Sequence, residues 1–258
     1  MIRVIPTGGL CDRMSTIECF LSYQQSLSLK QIKIIWNLDE DLNCKFEDLF
    51  EPIPDFVIVN KKKVRNKLLK KLRNTFYRFT NKEKIDLYKI NRSDLELYLK
   101  NKTNLLLTGF IFDESREKRY FDRFIVKEKI MKKIPEFFSN NTIGVHLRRT
   151  DNINAIKNSP SELFYERIKL EIENNKNVKF YCSSDSEDEI IKLTKHFPNR
   201  IIYQENCVRT RNSTDGINSA VVDLYSLAMC HKILGSDWSA FSWMASKIND
   251  IPLERIKL

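Results

Sequence analysis

Residues 142–148, TIGVHLR, begin the part of the chain that decides the fold. The apolar run ending at Leu147 has the length and composition of a buried strand, and SELFYERIKLEIEN (161–174) has the spacing of a helix. The rhythm then repeats. VKFYCS (178–183) reads as a strand and DSEDEIIKLTKHF (185–197) as a helix. RIIYQ (200–204), INSAVVDLYSLAMC (217–230), KILGS (232–236) and AFSWMASKI (240–248) continue as strand, helix, strand and helix. Four strand–helix repeats predict a parallel, doubly wound, Rossmann-like sheet.

Working back towards the start, IRVIP (2–6) reads as a strand, the glycines of PTGGL break it, and CDRMSTIECFLSYQQSLSL (11–29) is helical. IKIIW (32–36) is a second strand, SDLELYLK (93–100) a helix and NLLLTGF (104–110) a strand. Pro and Asn interrupt the pattern at 135–141, which is where a boundary is expected. The expectation is an N-terminal α/β lobe over 1–135 and a C-terminal Rossmann-like lobe over 136–258, with a cleft between them. Open α/β sheets bind ligands at the carboxyl ends of their strands.

With 258 residues, 42% hydrophobic and 30% charged, the chain has the composition of a globular protein. It has no apolar run long enough to span a bilayer, and MIRVIPTGGL reads as a first strand rather than a signal peptide, so a cytoplasmic location is expected. The six cysteines form no CxxC pair and are expected as small buried hydrophobes. The three histidines lack zinc-ligand spacing, so no metal site is expected.

The net charge of +10 is concentrated in residues 61–79, KKKVRNKLLKKLRNTFYRF, which carry nine Lys/Arg and no acid. Read as an amphipathic helix, this window places Val64, Leu68, Leu69, Leu72, Phe76 and Phe79 on one face. It is either a solvated helix packed on the body of the protein or, as a second reading, a peripheral attachment to an anionic membrane surface. No nucleic-acid partner is expected, because no recognition pattern accompanies the charge.

The candidate chemistry lies at the strand ends. His146, Arg148, Arg149 and Asp151 follow the strand of 142–147, and the planar guanidinium fork of arginine matches phosphate oxygens. Asp223 stands in the middle of an apolar helix, where a carboxylate needs a partner or a cavity. Gly235, Ser236, Asp237, Ser239 and Ser242 precede or open the last helix, and Gly8 and Gly9 precede the first. Both are places where backbone amides can receive an anion. The acidic run SSDSEDE (183–189) suits a helix start better than a metal site, with capping-box spacing from Ser184 to Glu187. Asp185 is still expected at the cleft. Trp243 reads as core, while Trp238 could touch a sugar.

Taken together, these residues resemble a known family. GVHLRRTD is similar to the His-x-Arg-Arg-x-Asp motif of the α1,2-, α1,6- and protein O-fucosyltransferase superfamily, which includes the bacterial nodulation fucosyltransferases. GGLCDRM resembles its N-terminal glycine loop, FYCSSDSED its strand-end Ser/Asp element, and VVDLYSLAMCHKILGSDWSAFSWMA its C-terminal motif. The resemblance covers the first thirty or so residues and most of 142–246; residues 40–135 match nothing recognisable.

The resemblance implies a GT-B-like fold, two Rossmann-like lobes with a nucleotide-sugar cleft between them, and a metal-independent inverting transfer. The donor would be GDP-fucose or a related GDP-sugar, with no cofactor, and the acceptor a glycan. Arg148 would clamp the β-phosphate and stabilise the leaving diphosphate, and Arg149 would assist it or brace the loop. His146 and Asp223 would contact guanine and Ser239 a phosphate, while Gly8, Gly9 and Asp12 close over the nucleotide from the other lobe. Ser236, Asp151 and Asp185 complete the expected site.

The sequence departs from the α1,6 branch at the general base: the glutamate ten residues after the motif histidine is replaced by Ile156. Glu162 lies nearby, but SPSE reads as a capping box with Ser159 as N-cap and Pro160 as the first helical residue. Asp12 and Asp151 are the other candidate bases. The missing base keeps open the alternative of a non-catalytic nucleotide-sugar or glycan-binding module.

Overall fold

The computed structural model describes residues 1–29, 31–62, 72, 75, 83–102, 104–113, 119–135 and 141–258. The chain divides into two compact units, Met1–Lys127 with Thr210–Ile217, and Glu128–Arg209 with Asn218–Leu258. Each contains one five-stranded sheet, and the strand pairs in both sheets are parallel.

In the first unit β1 (Ile2–Pro6) leads into α1 (Leu10–Ser26) and β2 (Ile32–Leu38). Then come α2 (Phe46–Leu49), β3 (Phe56–Lys62), β4 (Glu83–Asp86), α3 (Arg92–Asn101) and β5 (Leu105–Gly109). The order across the sheet is β3-β2-β1-β5-β4. Strands β3 and β4 have no counterpart in the sequence reading. Both are edge strands with a single buried residue each, Phe56 and Ile85; β4 is mostly charged, while the short apolar run FVIV that opens β3 gives way to Asn60, Lys61 and Lys62. Lys61 and Lys62 close β3, so the basic helix expected over 61–79 does not begin at 61. Apart from Leu72 and Thr75, the rest of that window lies outside the described residues, as does most of the 135–141 boundary.

The second unit runs through α4 (Glu128–Met131), β6 (Thr142–Leu147), α5 (Ile153–Asn158), α6 (Ser161–Asn174) and β7 (Lys179–Ser184). It continues with α7 (Glu187–His196), β8 (Ile201–Ile202), α8 (Thr214–Ala228, whose first turn belongs to the first unit), β9 (Lys232–Ser236), α9 (Ala240–Ile248) and β10 (Leu253–Ile256). The order is β10-β9-β6-β7-β8, so the winding reverses at β6.

The register of β6 on β7 assigns the two faces of this sheet. Ile143, Val145 and Leu147 share one face with Phe180 and Cys182 and pack on Phe164 and Ile168 of α6 and on Ile190 and Leu193 of α7. Gly144 and His146, opposite Tyr181 and Ser183, take the other face, towards α8 and α9. Close packing there needs Gly235, where an added Cβ would lie 2.6 Å from the Cβ of Ser242 in α9. Five of the six cysteines are buried as expected, Trp243 is core, and Cys207 is half-buried.

Two expected helix caps are corrected. The N-cap of α6 is Pro160, not Ser159, whose hydroxyl instead accepts from the Asp237 amide at 2.8 Å. The N-cap of α7 is Ser186, not Ser184. Ser184 ends β7, donates to the Leu147 carbonyl at 2.8 Å and accepts from the Ser186 amide. In both places a contact distant in sequence takes the hydroxyl that the local pattern assigns to the helix.

Candidate active site

The reversal at β6 puts the ends of β6, β7 and β9 side by side, and the predicted residues of the second unit collect there. The Ser236 hydroxyl links two of the ends, accepting from the Arg148 amide at 3.0 Å and donating to the His146 carbonyl at 3.3 Å.

The two arginines have different surroundings. Arg149 turns inward: Nη2 donates to the Ser159 carbonyl at 2.8 Å and Nε to Ser161 Oγ at 3.1 Å. Nε also lies 3.6 Å from Glu189, and the guanidinium carbon sits 5.6 Å from the Phe164 ring centroid. Arg149 thus fastens the loop after β6 to α6 and α7. The Arg148 side chain is 20% exposed and stands between two carboxylates, Asp151 and Asp185, the latter at 3.0 Å. Asp185 is itself anchored, accepting from the Arg149 amide at 2.7 Å and the Thr150 hydroxyl at 2.6 Å. Burial pushes the Asp185 pKa up, but the Thr150 hydroxyl, Arg148 and the Arg149 amide outweigh it, and the net shift is downward. Asp151 is 53% exposed.

His146 is buried and stacks on Phe241 at 4.9 Å, with Nδ1 3.3 Å from Ser239 Oγ. Burial and then Arg148 lower its pKa to about 3, so the ring is neutral at physiological pH. On the same face Asp223 reaches from α8 to β7, where it accepts from Tyr181 Oη at 2.7 Å and Ser183 Oγ at 2.9 Å. Gln204 adds a longer contact at 3.4 Å. Burial raises the Asp223 pKa to about 6, against the lowering effect of the hydroxyl bonds and Arg209. The Tyr181 hydroxyl, pushed up by burial and by Asp223, stays protonated and donates.

The first unit holds the remaining candidates at the carboxyl end of β1. Gly8 has φ +82°, and an added Cβ would meet Asp12 Oδ2 at 2.4 Å, so only glycine fits. Asp12 Oδ2 accepts from the Gly9 amide at 2.8 Å, while Oδ1 has no hydrogen-bond partner among the described residues. Burial raises the Asp12 pKa, opposed by the Gly9 amide and by Arg211.

Sequence reasoning missed Arg13. Fully buried, it donates to the Gly8 carbonyl at 2.8 Å, to the Asn37 carbonyl, and to Asp39 at 2.7 Å, with Trp36 against it at 5.3 Å. It ties the glycine loop to the end of β2. Arg209 was missed as well; its Nε donates to the Ser184 carbonyl at 3.1 Å, beside the Asp223 cluster. Among the described residues no group of three or more His, Cys, Asp or Glu is placed to hold a metal ion.

Solved structures share this architecture. The NodZ α1,6-fucosyltransferase co-crystallised with GDP is 19% identical with a TM-score of 0.62, over 98% of this chain and 94% of that one. NodZ from Bradyrhizobium is 18% identical with a TM-score of 0.62 and the same coverage. POFUT1 in complex with GDP is 12% identical with a TM-score of 0.57, over 100% of this chain and 98% of that one. The chain has the fold of these fucosyltransferases. The likeness spans nearly the whole length of the chain. No protein-family model matches the sequence, and no curated protein does.

Proposed function

We propose that the protein is a fucosyltransferase that takes GDP-fucose as donor. The observation that carries this reading is the contrast between Arg148 and Arg149, one guanidinium presented at the strand-reversal point and the other tied into the helices. Its support from outside the chain is that a NodZ structure was soaked with GDP-fucose and POFUT1 was crystallised with it.

On this reading the diphosphate displaces the exposed Asp151 from Arg148, while the anchored Asp185 keeps the guanidinium aimed. Arg148 then stabilises the charge that develops as the bond between the anomeric carbon and the β-phosphate oxygen breaks, a task for which arginine's fixed charge suffices without a metal. His146, as a neutral ring, and Asp223, as a carboxylate, receive the guanine, while Ser239 donates to a phosphate and Ser236 holds the Arg148 amide in position for it. From the first unit Gly8 offers its backbone amide, Gly9 holds Asp12 in place, and this unit takes the acceptor around its reacting hydroxyl. The acceptor hydroxyl attacks the face opposite the leaving GDP and inverts the anomeric centre, and its proton passes to Asp12, whose raised pKa suits a base.

The acceptor belongs to a surface glycan under assembly, lipid-linked and reached from the cytoplasmic side, with the basic window 61–79 docking on anionic lipid. Equal partitioning between anionic and neutral vesicles would overturn that docking. Titration calorimetry with GDP, GDP-fucose, GDP-mannose and UDP tests the donor. Selective binding of GDP and GDP-fucose is expected, and no GDP binding at millimolar concentration sinks the reading. A protein that binds GDP-fucose but never releases GDP would instead be the non-catalytic module.

A further inference from the structure

We infer that Trp238 and Ile153 form a stacking platform for a pyranose ring of the acceptor glycan, an inference that rests on the fucosyltransferase reading. Trp238 is 64% exposed and Ile153 66%, whereas the other two tryptophans, Trp36 and Trp243, are 0% and 5% exposed. Burial therefore does not explain why a large aromatic residue occupies this loop. Its backbone makes the position still less expected, because Trp238 sits at φ +55°, a left-handed conformation rare for bulky side chains and common where strain serves a site.

The loop is fastened from both ends of α5. Asn152 Nδ2 donates to the Trp238 carbonyl at 2.9 Å. Ser159 Oγ accepts from the Asp237 amide at 2.8 Å, and Asn158 Nδ2 donates to Asp237 Oδ2 at 3.3 Å. Ile153 is the first residue of α5, so the same three bonds hold both apolar side chains to one frame. Singly exposed apolar residues are ordinary, but two fixed to one frame beside the candidate site are where a ligand is expected.

Position and chemistry say which ligand. The frame follows Asp151, the exposed partner of Arg148, with Asn152 as the next residue. Along the sheet, Asp223 lies against β7, Arg148 follows β6, and Trp238 follows β9 on the far side of β6. A nucleotide sugar laid along this edge, base towards β7 and diphosphate on Arg148, directs its sugar and then the acceptor towards Trp238. A pyranose ring offers a patch of C–H groups to an aromatic face and hydroxyls to a polar rim. Asn152, Asp151 and Asp237 supply that rim.

Because the other two tryptophans are buried, Trp238 is its own reporter. Its emission is to be followed while lactose, cellobiose and N,N′-diacetylchitobiose are added to the full chain saturated with GDP. At least one should shift it saturably at millimolar concentration. Trp238→Phe should remove most of the exposed-tryptophan emission but retain sugar binding by calorimetry. Trp238→Ala should weaken that binding about tenfold, one aromatic contact's worth of about 1.4 kcal/mol, with GDP affinity unchanged. Ile153→Ser should weaken it as well. Absence of a response to any of the three sugars while GDP still binds overturns the inference, as does an Ala variant that binds like the parent. Failure of the parent to bind GDP at all counts against the fucosyltransferase reading instead.

Discussion

Replacing Asp223 by Asn separates stability from recognition at a single atom pair. Burial holds the Asp223 pKa at about 6 against an ordinary 3.8. That difference of about two units corresponds to about 3 kcal/mol of differential stability. The folded-state pKa is the higher one, so the folded protein holds the proton more tightly than the unfolded chain. The stabilisation is complete below about pH 4 and is lost as pH rises through about 6. At neutral pH the wild type therefore carries an ionised carboxylate at a cost that Asn avoids, while the amide can still bond Tyr181 and Ser183. Thermal melts of Asp223→Asn should exceed the wild type by several degrees at pH 7.5, at about 2–4 °C per kcal/mol. The advantage should shrink steadily towards pH 5. GDP affinity should move the other way, falling about tenfold or more at pH 7.5, because the proposed reading makes Asp223 the charged acceptor for the guanine hydrogens. A variant less stable than wild type at neutral pH, or one whose advantage does not depend on pH, would refute the assignment of a costly ionised carboxylate to this position.

Two further substitutions test the framework around the site. Arg149→Ala should lower stability by about 3 kcal/mol, because it strips a buried partner from Glu189 and frees the Ser159 carbonyl; denaturant titration would show the loss and an unchanged midpoint would contradict it. Gly8→Ala should cost about 1–3 kcal/mol through its left-handed φ and its clash with Asp12. Calorimetry should show GDP binding weakened in the same variant, and normal stability with normal binding would rule out a rigid glycine loop.

Much of the second unit was legible because its central strands are buried on both faces and its long helices keep a clear apolar period. The expected strand of 232–236 and the helices of 161–174 and 240–248 coincide with β9, α6 and α9. Strands β3, β4 and β10 were not legible. They lie at sheet edges: β4 and β10 are four residues each with two or more charged, and the apolar FVIV of β3 runs directly into the basic window whose spacing reads as a helix. The site divides the same way. His146, Arg148, Asp223 and Ser239 stood out because their chemistry conflicts with an apolar strand or helix. Arg13 did not, because an arginine in a first helical turn looks like a surface residue until β2 brings Asn37 and Asp39 against it. Tyr181 and Ser183 became partners of Asp223 only once α8 was seen to pack on the face that the β6–β7 register assigns to them.

The central claim is that Arg148 stabilises the leaving diphosphate of GDP-fucose, and GDP release from that donor in the wild type and in Arg148→Ala measures it most directly. Removing a principal charge-stabilising group should slow release by about 100-fold or more. The melting temperature should change little, because Asp185 keeps its bonds to Thr150 and the Arg149 amide. A wild type that releases GDP no faster than buffer, or an Arg148→Ala variant that keeps the parental rate, would contradict the account.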